Sequence, residues 1–148
     1  MRVIIIYHSE HHRNTEKIAK AMAIKIDAEV KKANDINPED INNYDIIGFV
    51  SGVYNGILHS EISDIINDLP YQEGKKAFLF STTGSLTYSK FAHDRLKPLL
   101  VEKGFKIIGE FSCLGFDTAL TREGINKGKP DKQDFENAEG FIESVIKK

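Results

Sequence analysis

The fold of this chain is decided by one stretch in which an apolar run gives way to a polar loop, Val3-Ile4-Ile5-Ile6-Tyr7-His8-Ser9-Glu10-His11-His12-Arg13-Asn14-Thr15. The apolar part is β-branched and does not alternate with polar residues, which predicts a strand covered on both faces. A helical pattern begins at Glu16, and Thr15 is a suitable N-cap for it. Such a junction is suited to holding a phosphate, because the helix end offers unpaired N–H groups and a positive dipole end.

Apolar runs and helical patterns alternate along the rest of the chain. We predict strands over Arg2–Tyr7, Ala28–Ala33, Tyr44–Val50, Lys76–Ser81 and Phe105–Leu114. We predict helices over Thr15–Ile26, Leu58–Leu69 and Ser89–Lys103, and a last one capped by Asp131 that runs to about Ile146. In the third helix, the residues expected to face inward are Phe91, Leu96, Leu99 and Leu100. Strands that alternate with helices favour a parallel sheet with right-handed crossovers. The sequence therefore predicts one α/β domain over residues 1–148, a doubly wound three-layer α/β/α fold around five parallel strands.

The composition of the chain argues against several classes of function. The 148 residues carry a formal net charge of −2, which argues against nucleic acid as a partner. No apolar stretch approaches the roughly 18 residues that span a membrane, and no signal peptide is recognisable. The single cysteine, Cys113, is expected to be a small buried side chain. We expect a cytoplasmic protein, with His59 and His93 at its surface.

Two later segments resemble the first loop in their position after a strand. One is Ser51-Gly52-Val53-Tyr54-Asn55-Gly56-Ile57, and the other is Ser81-Thr82-Thr83-Gly84-Ser85. In doubly wound sheets, ligands bind outside the carboxyl ends of the strands, so these three loops should meet at one edge. Together they offer a phosphate cradle and two flat walls, which suits a phosphorylated planar ligand.

Other phosphate-binding patterns do not fit the first loop. A Walker loop needs Gly-Lys-Ser/Thr, and a dinucleotide fingerprint needs Gly-x-Gly-x-x-Gly. Neither is present after the first strand. A phospho-acceptor domain would need an acidic cluster after the first strand and an Asp at the end of the third, whereas Glu10 stands alone after the first strand and Ser51 occupies the end of the third. These three classes are therefore disfavoured.

The three segments resemble those of flavodoxins. The resemblance rests on 7–9 with 13–16, on 51–56, on 78–84, and on a tail over 127–138, and it spans essentially the whole chain. It implies a sheet in the order 2-1-3-4-5 and one noncovalently bound FMN. The family needs no acid–base catalytic residue and no metal, so the resemblance implies neither.

The resemblance also implies a role for each segment. The phosphate would be surrounded by Ser9, His11, His12, Asn14 and Thr15, with Arg13 nearby. One side of the isoalloxazine would be lined by Ser51, Gly52, Val53, Tyr54, Asn55 and Gly56, with Tyr54 as the stacking ring. The pyrimidine end would be edged by Thr82, Thr83, Gly84 and Ser85. The site would be closed by Gly115, Phe116 and Asp117.

The first loop departs from the family pattern in two ways. Arg13 stands where a glycine usually precedes the Asn-Thr pair, and histidines replace the usual hydroxyl residues. One hypothesis is that His11, His12 and Arg13 supply cationic donors to the phosphate. The other is that these side chains are solvated and that backbone N–H groups bind the phosphate. The first hypothesis predicts that FMN affinity weakens as pH rises from about 5.5 to 8.5, around the reference histidine pKa.

Three functions are compatible with this resemblance. The favoured one is an electron carrier that meets redox partner proteins transiently and is itself a monomer. The alternative is an FMN-dependent NAD(P)H or quinone oxidoreductase, a class that often needs longer inserted loops. The third is a non-redox module that keeps the fold but has lost the flavin. This hypothesis rests on Arg13, which stands where the family usually has a glycine.

Overall fold

The computed structural model describes residues 1–9, 14–54, 57–115 and 124–148, with Tyr54 described in its backbone only. Its strands are β1 (Val3–His8), β2 (Glu29–Lys32), β3 (Ile46–Tyr54), β4 (Ile57–Leu58), β5 (Lys76–Thr83) and β6 (Lys106–Leu114). Its α-helices are α1 (Asn14–Ile26), α2 (Ser60–Asp68), α3 (Leu86–Glu102) and α4 (Lys132–Val145). Two short 3₁₀ segments, Ala33–Asp35 and Pro38–Asn43, lead from β2 to β3. None of the described helices is long and apolar enough to cross a membrane.

The main sheet has the order β2-β1-β3-β5-β6, and all of its strands are parallel. Counted by these parallel strands, the order is 2-1-3-4-5, as predicted. The two-residue strand β4 is an addition that the sequence analysis did not predict. It pairs antiparallel with the end of β3, through Val53 with Leu58 and Tyr54 with Ile57.

Two apolar clusters cover the two faces of the sheet. Alternate residues of β1 point to opposite faces, so Ile4 and Ile6 join one cluster while Val3 and Ile5 join the other. The first cluster packs under α2 and α3, and the second packs under α1 and α4. This arrangement confirms the three-layer α/β/α fold.

Several predicted boundaries were wrong by a few residues. β3 runs to Tyr54 and β5 runs to Thr83, so residues predicted as loop at 51–54 and 82–83 lie in strands. α1 begins at Asn14, which places Thr15 inside the helix instead of at its N-cap. α3 begins at Leu86, three residues early, with Ser85 at its N-cap position. Asp131 caps α4 as predicted, in a reciprocal capping box with Asp134.

Two residues of α3 were assigned to the wrong environment. Phe91 was expected to face inward, but its side chain is 58% exposed. His93 was expected at the surface, but it is 2% exposed. The residues that face the sheet are Ser89, Ala92, His93, Leu96 and Leu100, and Phe91 projects from the other side of the helix. Polar partners on β5 and β6 draw His93 inward, and a helical periodicity count does not register such partners.

Candidate functional site

The carboxyl ends of four neighbouring strands lie level with one another. His8 on β1 pairs with Ser51 on β3, which pairs with Ser81 on β5, which pairs with Ser112 on β6. The segments that follow these positions therefore leave the sheet at the same edge. This is the edge at which doubly wound folds bind ligands.

Hydroxyl groups place the N-terminus of α1 at this edge. The Ser9 hydroxyl accepts a hydrogen bond of 3.2 Å from the backbone N–H of Glu16. The Thr15 hydroxyl lies 2.6 Å from the Thr82 hydroxyl, and this contact is buried. Tyr7 donates its hydroxyl to the Glu16 carboxylate over 2.9 Å, also in the interior. The start of α1 is thus fixed to both β1 and β5, and it presents its positive end at the sheet edge.

A histidine–glutamate cluster, which the sequence analysis did not predict, joins β1 to the start of α2. His8 Nδ1 lies 2.6 Å from a carboxylate oxygen of Glu61. The rings of His8 and His59 are stacked, with their centroids 3.5 Å apart and their planes 13° from parallel. His59 Nδ1 in turn accepts a hydrogen bond from the Glu61 backbone N–H.

Candidate ligand atoms of these three residues lie within 4.8 Å of one another, a spacing that invites comparison with a metal site. Nitrogen lone pairs of imidazole lie in the ring plane, and one ion cannot be reached in the planes of two nearly parallel rings that stack with their centroids 3.5 Å apart. The cluster is therefore a hydrogen-bonded link between β1 and α2. It also shows that His59 is half-buried, where the sequence analysis expected a surface residue.

The end of β3 is shaped by Ser51. This residue is fully buried, and its hydroxyl donates to the Gly52 carbonyl over 2.7 Å. The same oxygen accepts from the backbone N–H of His59 over 3.1 Å. The Ser51 hydroxyl therefore holds together the two ends of the hairpin formed by β3 and β4. Gly52 is buried and Val53 is half-buried beside it.

The end of β5 is a tight polar turn. Thr82 and Thr83 are both nearly inaccessible to solvent. The Thr83 hydroxyl donates to the Ser85 carbonyl over 2.7 Å and accepts from the Ser85 N–H over 3.0 Å. The hydroxyl groups of both threonines are thus engaged within the protein. Gly84 and Ser85 are half-buried at the tip of the turn.

Gly115 connects this turn to the start of α1. Its N–H donates to the Thr83 carbonyl over 2.9 Å. A Cβ at this position would lie 2.8 Å from Asn14 Nδ2, so a larger residue would have to push the Asn14 side chain aside. Asn126, which the sequence analysis did not predict, donates its side-chain amide to the Gly115 carbonyl over 3.3 Å.

The structure thus brings together Asn14, Thr15, Thr82, Thr83, Gly84, Ser85 and Gly115, with Ser9 beside them. Ser51, Gly52 and Val53 lie at the end of the neighbouring strand β3. The predicted site residues His11, His12, Arg13, Asn55, Gly56, Phe116 and Asp117 lie outside the described residues. So does the side chain of Tyr54, the predicted stacking ring.

Comparisons with known proteins agree with this architecture. An uncharacterized protein of Methanocaldococcus jannaschii is 39% identical over 150 residues, with 99% of each chain covered. Among solved structures, a flavodoxin from the domain Archaea superposes with a TM-score of 0.76 at 16% identity, over 99% of this chain and 97% of the other. Oxidised Flavodoxin 2 from Bacillus cereus superposes with a TM-score of 0.76 at 21% identity, over 99% of both chains. These two superpositions establish the shared fold.

The family comparison is more specific. A sequence model described as a flavodoxin domain matches residues 4–123, which cover the strands and helices that build the candidate site. The chain therefore belongs to the flavodoxin family.

Proposed function

We propose that this protein binds one FMN at the carboxyl edge of its sheet and carries electrons between redox enzymes. One observation supports this most directly: segments from three parts of the chain are joined at that edge by the contacts Thr15–Thr82 and Gly115–Thr83. Joined backbone at the end of a parallel sheet, beside a helix N-terminus, suits a ligand with an anionic end and a flat end. When bound, FMN supplies the electron-transfer chemistry, and the protein supplies binding and electrostatics.

In this proposal the phosphate lies at the N-terminus of α1. Ser9, Asn14 and Thr15 are the described residues near it, and the proposal adds His11, His12 and Arg13. A helix N-terminus favours a dianion because its first N–H groups lack helical partners. The Thr15–Thr82 contact holds that helix end against β5, so the distance between the phosphate and ring parts of the site is fixed.

The flavin ring lies between two segments in this proposal. Residues 51–56 line one side, with Tyr54 as the stacking ring. Thr82–Ser85 (the ring segment) edges the pyrimidine end of the flavin ring. Gly115, Phe116 and Asp117 close the site. We propose a monomeric, cytoplasmic carrier with transient protein partners, and we assign no acid–base catalyst and no metal.

The first experiment is a spectroscopic one. We expect the purified protein to be yellow, and the flavin-free protein to quench the fluorescence of added FMN at a ratio of one to one. A protein that neither carries flavin nor binds added FMN would overturn the proposal and would favour the module that has lost its flavin.

A matched pair of variants tests the position of the phosphate. Thr15→Val removes the hydroxyl that meets Thr82, and Thr87→Val makes the same change on the exposed side of α3. We expect Thr15→Val to raise the Kd for FMN by roughly fivefold, because the N-terminus of α1 is then no longer held against β5, and to change the Kd for riboflavin much less. Thr87→Val should leave both Kd values unchanged.

Direct mixing with NADPH separates the carrier from the alternative oxidoreductase. We expect the yellow colour to persist under anaerobic conditions until a flavodoxin reductase is added. Rapid bleaching by NADPH alone would assign the protein to the NAD(P)H or quinone oxidoreductase class instead.

A further inference from the structure

We propose that Asn126 is a positioning residue that locks the ring segment in one conformation before the flavin arrives. Its side-chain amide donates to the Gly84 carbonyl over 3.0 Å and to the Gly115 carbonyl over 3.3 Å. These partners are 42 and 11 residues away along the chain, on the segments that follow β5 and β6. One amide group thereby links both segments. The inference rests on the proposed function, since it concerns the same site.

The peptide group between Gly84 and Ser85 is held at both ends. Its carbonyl accepts from Asn126, and its N–H donates to the Thr83 hydroxyl over 3.0 Å. Rotation of this peptide plane would break both hydrogen bonds at once. Asn126 supplies the bond that comes from a distant part of the chain.

Asn126 also closes a ring of backbone contacts. Gly115 receives the amide at its carbonyl and donates its own N–H to the Thr83 carbonyl over 2.9 Å. Gly115 lies beside the Asn14 side chain at the start of α1, since a Cβ added to it would lie 2.8 Å from Asn14 Nδ2. The ring segment, the end of β6 and the proposed phosphate end of the site are therefore connected through groups that Asn126 helps to hold.

The backbone conformation at position 126 suits asparagine. Its φ angle is +59°, in the left-handed region that asparagine adopts more readily than most residues. Its carbonyl accepts from the Lys129 N–H over 3.0 Å, which fixes the turn that aims the side chain. A site ordered before binding loses less conformational entropy when its ligand arrives, so removal of this lock should weaken binding.

Two substitutions test the donor role. Asn126→Ala removes the amide, and Asn126→Asp keeps its shape while placing a carboxylate against two carbonyl oxygens. Asn137→Asp on α4 is the matched control, because Asn137 is an exposed amide that pairs only with Gln133 among the contacts described for it. We expect the alanine variant to raise the Kd for FMN by about tenfold and the aspartate variant to raise it more, while the control binds as the wild type does.

Riboflavin distinguishes ring positioning from phosphate binding. Because Asn126 acts on the ring segment, its variants should raise the Kd values for riboflavin and FMN by the same factor. Loss of FMN affinity alone would overturn the proposal and would move Asn126 to the phosphate end.

Amide hydrogen exchange in the flavin-free protein tests the lock without a flavin. We expect the Ser85 and Gly115 N–H groups to exchange at least tenfold faster in Asn126→Ala than in wild type, while amides in the centre of β5 are unchanged. Unchanged exchange at both sites would overturn the inference. Failure of the wild type to bind FMN would overturn the proposed function instead, and the exchange result would still decide whether Asn126 holds the ring segment.

Discussion

Cys113 lies near the end of β6 and is almost completely buried. Burial raises the pKa of its thiol to about 12. At pH 8, the thiolate fraction is then roughly a thousandfold lower than that of an exposed cysteine, whose pKa is about 8.5. We expect the thiol reagent DTNB to leave the native protein unlabelled for hours and to label it within seconds in guanidinium. Fast labelling of the native protein would show that the thiol is accessible.

His93 is the centre of a buried polar chain between α3 and the sheet. Its Nε2 lies 2.8 Å from the Ser81 hydroxyl, and its Nδ1 lies 3.4 Å from the Glu110 carboxylate. Lys97 pairs with the same carboxylate. Burial lowers the pKa of His93, and the Glu110 carboxylate opposes that shift. The imidazole is therefore neutral in the folded protein at neutral pH.

This lowered pKa predicts a loss of stability in mild acid. Below about pH 6.5 the unfolded imidazole binds a proton that the folded one does not, so acid favours unfolding. We expect the free energy of unfolding to fall between pH 7.5 and pH 5.0, and to fall less in His93→Gln. At pH 7.5 the variant should be less stable by about 1–2 kcal/mol, because it loses buried hydrogen bonds. Urea titrations at both pH values measure this, and parallel losses in the two proteins would contradict it.

The boundary of a helix or strand was predictable from the sequence where both residues of the interaction that fixes it lie close together in the chain. Asp131 and Asp134 are three residues apart and form the capping box that starts α4, so this boundary was predictable. The start of α3 was not predictable, because the Ser85 side chain does not cap the helix. The turn before it is shaped instead by the Thr83 hydroxyl. The burial of His93 depends on partners 12 and 17 residues away, which no periodicity reveals.

The packing of neighbouring strands predicts a strict requirement for glycine in β3. Gly48 pairs with Phe78 on β5, and a Cβ at position 48 would lie 2.2 Å from the Phe78 ring. That ring is fully buried and packs edge-on against Phe141, so it has little room to move. We expect Gly48→Ala to reduce the free energy of unfolding by about 1–3 kcal/mol, as overpacked cores do.

Two further variants make this a test of packing. In a Phe78→Leu background, Gly48→Ala should cost clearly less than it does alone, because the clashing ring is gone. Gly140→Ala on α4, where a new Cβ meets no atom within 4 Å, should be neutral or stabilising by up to about 1 kcal/mol. Equal costs for Gly48→Ala in both backgrounds, measured by urea unfolding, would show that the ring is not the cause.

The topology of the whole sheet explains which part of the candidate site was predictable from the sequence. Parallel strands put their carboxyl ends at one edge, so the position of the polar segments followed from the order of elements. The contacts that join them did not follow. Thr15 meets Thr82 across 67 residues and Asn126 meets Gly84 across 42, so only the folded chain brings these pairs together.

The net charge of the protein should influence the reduction potentials of the bound flavin. The 22 acidic residues are nearly balanced by 20 basic ones, so the net charge of −2 adds little repulsion to a cofactor that gains negative charge on reduction, and we expect a less negative low potential than in strongly acidic flavodoxins. Two exposed lysines test whether position matters as well as total charge. Lys127 follows Asn126 beside the ring segment, whereas Lys106 begins β6, a nine-residue strand that puts it roughly 30 Å from the site edge.

Lys127→Glu and Lys106→Glu each change the net charge from −2 to −4. In 0.1 M salt the Debye length is about 10 Å, so only the nearer charge should reach the flavin. We expect Lys127→Glu to lower the potentials by on the order of 10 mV, with a larger shift at low salt, and Lys106→Glu to leave them unchanged. Spectroelectrochemical titration measures both. Equal shifts in the two variants would mean that total charge sets the potential, and no shift in either would place residue 127 outside the electrostatic reach of the flavin.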